Sequence, residues 1–152
     1  MIQRVQSLYL LGAFLVSIVL YYFPVLYFQS GDAELIFYVD KIVDSNNLVV
    51  LNSYPLLVVV SLSQFLIVFQ IFNYKKRIRQ MQTGKAVIIL NIVFYAIIVA
   101  YLVNFVGFSA DFSSFSLRIG LFVPIFLIIL VLLANKQIKK DENLVRSIDR
   151  IR

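Results

Sequence analysis

Between Ala86 and Phe105 the chain reads AVIILNIVFYAIIVAYLVNF, twenty residues without a charged side chain. A bilayer core of about 30 Å needs roughly 20 mostly apolar residues to cross it as a helix. Three further uncharged stretches lie at 5–28, 53–74 and 119–135. Because lipid offers no partner to unpaired backbone groups, each stretch should form a helix. The pattern predicts four transmembrane helices.

The composition agrees with a membrane protein and excludes several kinds of chemistry. Of the 152 residues, 61% are apolar and only 14% are charged, whereas soluble domains carry about 25% charged residues. The chain has no Cys and no His, which removes thiolate nucleophiles and the usual proton shuttle at neutral pH. It also lacks a glycine-rich phosphate loop, metal-ligand spacing and a nucleophile elbow. We therefore expect no enzymatic activity and no cofactor.

The basic residues predict the orientation of the spans. Twelve of the 14 Lys and Arg residues fall before the first span, in 75–85 or in 136–152, and only Lys41 and Arg118 fall elsewhere. With an even number of spans these three basic segments share one side of the membrane. The positive-inside rule makes that side cytoplasmic, so both termini should be inside.

The segments 29–52 and 106–118 should then lie on the outer side. Two β-prone runs occur in the first of them, at 35–39 and 48–51, and turn-forming residues occupy 44–47 between them. The pattern predicts a small hairpin that rests on the outer ends of the helices. This hairpin could be a lid that closes the helices or a docking surface for a partner.

Few polar residues lie within the spans, and their depth suggests contacts between helices. Gln64 and Asn91 could meet across neighbouring helices through hydrogen bonds. The alternative is that such residues line a passive channel for a small solute. The spans carry no ionisable acid or base, so a driven pump is not expected. The candidate interhelical residues are Ser17, Ser61, Gln64 and Asn91.

The charged segments on the predicted cytoplasmic side suggest two further candidate sites. A basic cluster could hold anionic lipid headgroups, or it could only fix topology. Its residues are Lys75, Lys76, Arg77 and Arg79. The start of the chain and the helical tail at 136–152 could together form an interaction platform through ion pairs with Arg4. The platform residues are Arg4, Asp141, Glu142, Arg146, Asp149 and Arg150. No nucleic-acid-binding module is recognisable, so nucleic acid is not an expected partner.

The two ends of the chain carry its most distinctive sequence. Met1–Leu11 reads MIQRVQSLYLL, and Ala134–Arg152 reads ANKQIKKDENLVRSIDRIR. In these segments the chain resembles a bacterial family of unknown function made of short four-span inner-membrane proteins. The resemblance implies a Gram-negative inner membrane and a periplasmic outer side. It implies no activity, so it assigns no role to any residue.

Together these observations predict one membrane domain over residues 1–152. The expected fold is all-α: a four-transmembrane-helix bundle with both termini inside, a small periplasmic β-hairpin and a cytoplasmic C-terminal helix. The expected function is non-enzymatic, as a structural or accessory subunit that contacts membrane lipids and other inner-membrane proteins. A passive channel or facilitator is the first alternative, and an anionic-lipid-interacting protein is the second.

Overall fold

The computed structural model describes residues 3–30, 33–74, 76–106 and 115–149. These residues form four α-helices, one short 3₁₀ helix and five β-strands. The α-helices are α1 (Gln3–Ile18), α2 (Tyr54–Phe72), α3 (Arg77–Val106) and α4 (Ile119–Asp149), and the 3₁₀ helix is Val19–Tyr21. The strands are β1 (Leu26–Ser30), β2 (Ala33–Phe37), β3 (Lys41–Asp44), β4 (Val49–Asn52) and β5 (Phe115–Leu117).

Within the described residues, three helices are long and apolar enough to cross a membrane. They are Tyr54–Phe72, Arg77–Asn104 and Ile119–Val145, and a shorter apolar helix covers Val5–Tyr21. The chain is therefore a membrane protein. The segment 77–85, predicted as part of a loop, belongs to α3.

The prediction of an all-α fold with a small hairpin is wrong. The strands form one five-stranded antiparallel sheet in the order β4-β3-β2-β1-β5. The two β-prone runs do not pair with each other, because β2 pairs with β1 and β3, while β4 pairs with β3. The helix predicted for the C-terminal tail is present as the continuation of α4, which extends to Asp149.

The physical reason for this error lies in the first apolar stretch. Its last residues, from Leu26 onward, form β1 and not the end of a helix. Pro24 precedes them, and an apolar run alone does not distinguish a buried strand from a buried helix. The strand β5 pairs with β1 from about 90 residues further along the chain, and no local pattern signals such a pairing.

One face of the sheet packs on the ends of the helices. The buried residues of the strands include Leu26, Phe28, Leu35, Phe37 and Ile42. They form one apolar cluster with the helix residues Leu56, Val60, Phe94, Ile98 and Val123. We call this part of the molecule the sheet end.

The four helices pack in a ring in which each packs mainly against two neighbours. α1 contacts α2 and α4, and α3 also contacts α2 and α4. The middle of the ring is filled by apolar side chains with no exposed surface: Ala13, Ile67, Val87, Leu127 and Val131. The opposite end of the ring carries the exposed or half-buried basic residues Lys76, Arg77, Arg79, Lys85, Lys136, Lys139 and Lys140. We call this part the basic end.

Candidate functional site

In each helix, buried residues at helical spacing form a line along one face. At the basic end, the last residue of this line is polar. In α1 the buried residues Ala13 and Leu10 lead to Gln6 at helical spacing. The same spacing leads to Gln70 in α2, to Gln80 in α3 and to Asp141 in α4. All four side chains are at least nine-tenths buried. Polar side chains from four helices are therefore buried at one end of the molecule.

Hydrogen bonds join several of these residues across helix boundaries. Gln70 Nε2 donates to Asn135 Oδ1 at 3.0 Å, which links α2 to α4. Gln80 Nε2 donates to the backbone oxygen of Gln70 at 3.0 Å, which links α3 to α2. Gly84 allows this close approach, because a β-carbon there would collide with the amides of Gln70 and Asn135. The buried Gln70 and Gln80 and the half-buried Asn135 thus connect α2, α3 and α4 in one polar layer.

Several buried polar atoms at the basic end have no hydrogen-bond partner among the described residues. The unpartnered oxygens are Oε1 of Gln6, Gln70 and Gln80 and Oδ1 of Asp141, and Asn73 Nδ2 is an unpartnered donor. A buried polar atom without a partner costs about 1–3 kcal/mol, and buried water commonly satisfies such atoms. The described residues contain no group of three His, Cys, Asp or Glu side chains suited to a metal ion. The layer is thus suited to accept hydrogen bonds.

The sequence analysis did not identify Gln6, Gln70 and Gln80 as one group. A signal for them exists, because each continues an apolar stripe at a spacing of three or four residues. A glutamine that continues a line of apolar residues at this spacing is therefore predicted to be buried and not exposed to solvent.

Two adjoining grooves lie along the surface of α3 and α4 at the basic end. The first, of about 770 Å³, is lined by Tyr74, Lys76, Arg77, Ile78, Arg79, Gln82, Glu142 and Val145. The second, of about 630 Å³, is lined by Ile78, Met81, Gln82, Lys85, Ile88, Leu132, Asn135, Lys136, Lys139, Glu142 and Asn143. Ile78, Gln82 and Glu142 line both grooves. The two grooves therefore share part of their lining, and both combine basic with apolar side chains.

Three of the four candidate interhelical residues lie together, and Tyr21 joins them. Gln64 Nε2 donates to Ser17 Oγ at 3.1 Å, and Tyr21 Oη donates to Gln64 Oε1 at 3.0 Å. The hydroxyls of Tyr21 and Ser61 lie 3.1 Å apart. Asn91, in contrast, donates from Nδ2 to the backbone oxygen of Val87 at 2.8 Å. The structure therefore brings Gln64 to α1 and leaves Asn91 bonded within its own helix.

The basic cluster is divided by the structure. Lys76 and Arg79 are exposed, whereas Arg77 Nη1 lies 3.8 Å from Glu142 Oε2 and donates to the backbone oxygen of Asp141 at 3.2 Å. Lys75 lies outside the described residues. Arg77 thus connects the start of α3 to α4, whereas Lys76 and Arg79 remain accessible.

The predicted platform is described only in part. Asp141 is buried and Glu142 is half-buried, and both lie beside Arg77. The side chains of Arg4, Arg146 and Asp149 lie outside the described part of the chain, as does the whole of Arg150. The structure therefore identifies Arg77 as a contact of the two acidic platform residues.

These features define a membrane protein whose helices carry a sheet at one end and a buried polar layer at the other. Residues 2–151 match the sequence profile of the domain of unknown function DUF4293. The chain belongs to this family, which confirms its resemblance to a family of unknown function. No match was found among curated proteins. Neither comparison assigns an activity to a residue.

Proposed function

We propose that this protein is a non-enzymatic, multi-pass protein of the bacterial inner membrane that acts as an accessory subunit. In this proposal, strand β4 pairs with an extended apolar segment of another membrane protein. The observation that carries the proposal is the exposure of β4, because all four residues of Val49–Asn52 are exposed at an edge of the sheet.

The edge formed by β4 has one irregularity, at Val50, which lies between the paired residues Val49 and Leu51, but it lacks the charged residues and prolines that usually discourage pairing. Leu48, Val49, Val50 and Leu51 have exposed fractions of 68%, 55%, 49% and 40%. The segment 45–54 contains neither a charged residue nor a proline. Edge strands of soluble proteins are normally protected by such residues, because an unprotected edge invites another strand to pair with it. Addition of a partner strand to an exposed edge is an established mode of recognition.

The opposite edge of the sheet differs from β4. Strand β5 has only three residues, Phe115–Leu117, and Arg118 follows it directly. The guanidinium carbon of Arg118 lies 4.0 Å from the centroid of the Tyr27 ring. A short strand with a cation beside it is poorly suited to pairing. The contrast supports β4 as the docking edge.

The location of β4 favours a membrane protein as the partner. Ser53 alone separates β4 from α2, and α2 exposes Tyr54, Val58 and Phe65 along its apolar side. A segment that pairs with β4 therefore lies beside a membrane-spanning helix, near the membrane surface. An extended apolar segment of a second membrane protein fits both the position and the chemistry of this edge.

The charge distribution supports an orientation with the sheet in the periplasm and both termini in the cytoplasm. Among the basic side chains that the structure describes, seven lie at the basic end, whereas Lys41 and Arg118 lie in or beside the sheet. The positive-inside rule associates the basic end with the cytoplasm. In this orientation α1 and the 3₁₀ helix provide the fourth crossing. Together they cover 3–21, about 28 Å at 1.5 Å per residue.

The packing of the helix ring favours the accessory subunit over a passive channel. Ala13, Ile67, Val87, Leu127 and Val131 fill the middle of the ring without exposed surface. Gln64 is bonded to Ser17 and Tyr21, so its amide has protein partners. A water-filled path would need polar groups available to the solute.

Site-specific photocrosslinking at β4 tests the proposal in intact membranes. A photoreactive amino acid replaces Val50, and the matched control carries it at Leu117, an exposed position on the opposite edge strand. We expect one discrete adduct with a second membrane protein from position 50 and none from position 117. Val49→Lys should abolish the adduct, because a lysine protects an edge strand. Leu117→Lys should preserve it.

The identity of the adduct decides the outcome. Support requires that a reciprocal probe, in an extended segment of the captured protein, crosslinks back to residues 48–52. If position 50 yields only lipid adducts, β4 lies in the membrane interface and the proposal fails. If it yields only a product of twice the chain mass of 17.5 kDa, the edge joins two copies and the accessory role fails.

A further inference from the structure

The second groove between α3 and α4 changes from apolar to cationic along the helix axes. Ile88 and Leu132 line its part nearer the middle of the membrane. Lys85 on α3 and Lys136 on α4 follow about one turn closer to the basic end, and Lys139 lies another turn along α4. The groove therefore has a hydrocarbon-like part and a basic part in the order that a phospholipid requires.

The distances along the helices match the boundary between acyl chains and headgroups. At 1.5 Å per residue, Lys85 is about 4.5 Å from the level of Ile88. On α4, Lys136 and Lys139 lie about 6 Å and 10 Å from the level of Leu132. An acyl chain along Ile88 and Leu132 would thus bring its phosphate to the level of the lysines.

We propose that this groove binds an anionic phospholipid. The phosphate binds between Lys85 on one helix and Lys136 and Lys139 on the other, and an acyl chain lies along Ile88 and Leu132. Basic pockets between membrane-spanning helices are known sites for anionic headgroups.

Among the described residues that line the groove, Glu142 is the one acidic residue, and it is already paired. Glu142 lies beside Arg77, with 3.8 Å between Oε2 and Nη1. The ion pair leaves the three lysines as the net charge of the groove. Their charge is therefore available to a phosphate.

Topology alone requires basic residues at this end, but it does not require them to converge on one groove. Lys139 lines the groove, whereas Lys140, the next residue, is not among the described residues that line it. Both are exposed lysines on α4. This pair separates a specific lipid site from a general attraction to an anionic membrane surface.

The site lies at the opposite end of the molecule from β4. Its failure would leave the proposed accessory role unaffected, and failure of the accessory role would leave the lipid site unaffected. Retention of lipid by the purified full chain is a separate readout from crosslinking at β4.

Native mass spectrometry of the full chain tests the site. The protein is purified in a mild detergent, exposed to phosphatidylglycerol or phosphatidylcholine, and analysed for bound lipid. We expect preferential retention of phosphatidylglycerol. Lys139→Gln should weaken that retention about fivefold, the effect expected of one basic residue near an anionic group. Lys140→Gln, which removes the same charge outside the groove, should retain the lipid like the unaltered protein.

A variant that fills the groove without changing the charge gives an independent test. Leu132→Trp occupies the apolar part, and Leu132 is exposed, so folding should be preserved. We expect reduced retention of phosphatidylglycerol. Equal losses in Lys139→Gln and Lys140→Gln would overturn the proposal, as would undiminished retention in Leu132→Trp. Displacement of the lipid by inorganic phosphate at an equal concentration would indicate an anion site without acyl-chain binding and would also overturn it.

Discussion

The sheet end and the basic end of this protein differ in whether their buried polar atoms have hydrogen-bond partners. At the sheet end, the buried Ser53 Oγ is directed at the backbone oxygens of Tyr38 and Val39, 3.2 Å and 3.0 Å away. At the basic end, Gln6 and Asp141 are buried with oxygens that have no partner among the described residues. Folded proteins rarely leave such atoms unpaired without a reason. The described residues therefore satisfy the buried hydroxyl at the sheet end, whereas at the basic end they leave buried oxygens that could accept a hydrogen bond from another donor.

The largest effect should come from the apolar core of the sheet end. Phe37 has no exposed surface and contacts Tyr101 edge-on, with ring centroids 5.5 Å apart. Phe37→Ala should lower the free energy of unfolding by about 3–5 kcal/mol, because it leaves a cavity. Unfolding of the purified protein in detergent measures the loss. Phe72→Ala is the control: Phe72 is three-quarters exposed and should cost far less. Similar losses in both variants would show that the sheet does not stabilise the fold.

The junction between the sheet and α4 should give the next largest effect. A β-carbon on Gly120 would lie 2.7 Å from the backbone oxygen of Pro24, with Val25 Cα at 3.0 Å. Because backbone atoms cannot move aside as side chains do, Gly120→Ala should cost about 1–3 kcal/mol. Gly12→Ala is the matched control, since its nearest neighbour, Leu130 Cδ1, is 3.9 Å away. It should be neutral or slightly stabilising, as alanine favours a helix. A neutral Gly120→Ala would contradict the close junction.

The smallest effects should differ in sign between the two ends. Ser53→Ala removes the hydroxyl that lies near the Tyr38 and Val39 oxygens and should lower the free energy of unfolding by about 1 kcal/mol. Gln6→Leu removes an unpartnered oxygen from the basic end and should raise it by about 1 kcal/mol. Both variants are compared with the unaltered protein in one denaturation series. A stability loss in Gln6→Leu would mean that the polar layer contributes to folding through bound water or ions.

The sequence predicted the apolar helices better than it predicted the rest of the fold. The range 53–74 closely matches α2, and the ranges 86–105 and 119–135 lie within α3 and α4, respectively. Their lengths are set by the bilayer, which a local run of apolar residues reports directly. The extension of α3 back to Arg77 was not predicted. There the helix is stabilised by neighbouring helices, which bury Gln80 and Gly84, and not by apolar composition.

The sheet and the polar layer depend on contacts between distant parts of the chain. β1 pairs with β5, and Leu26 faces Leu117, so neither partner is visible in the other's local sequence. The contact between Gln70 and Asn135 likewise joins residues that are 65 positions apart. Periodicity indicates which face of a helix is buried, but it does not indicate which helix covers that face. The candidate site therefore became visible only in three dimensions.

In the proposed orientation, the sheet end and the basic end face opposite sides of the membrane. The chain has no cysteine, so single cysteines report orientation directly. Asn46→Cys introduces one in the exposed turn between β3 and β4, and Lys140→Cys introduces one at the basic end. In intact spheroplasts, a membrane-impermeant maleimide should label the Asn46→Cys variant at once and the Lys140→Cys variant only after permeabilisation. Labelling of both variants before permeabilisation, or the reverse order, would contradict the proposed orientation.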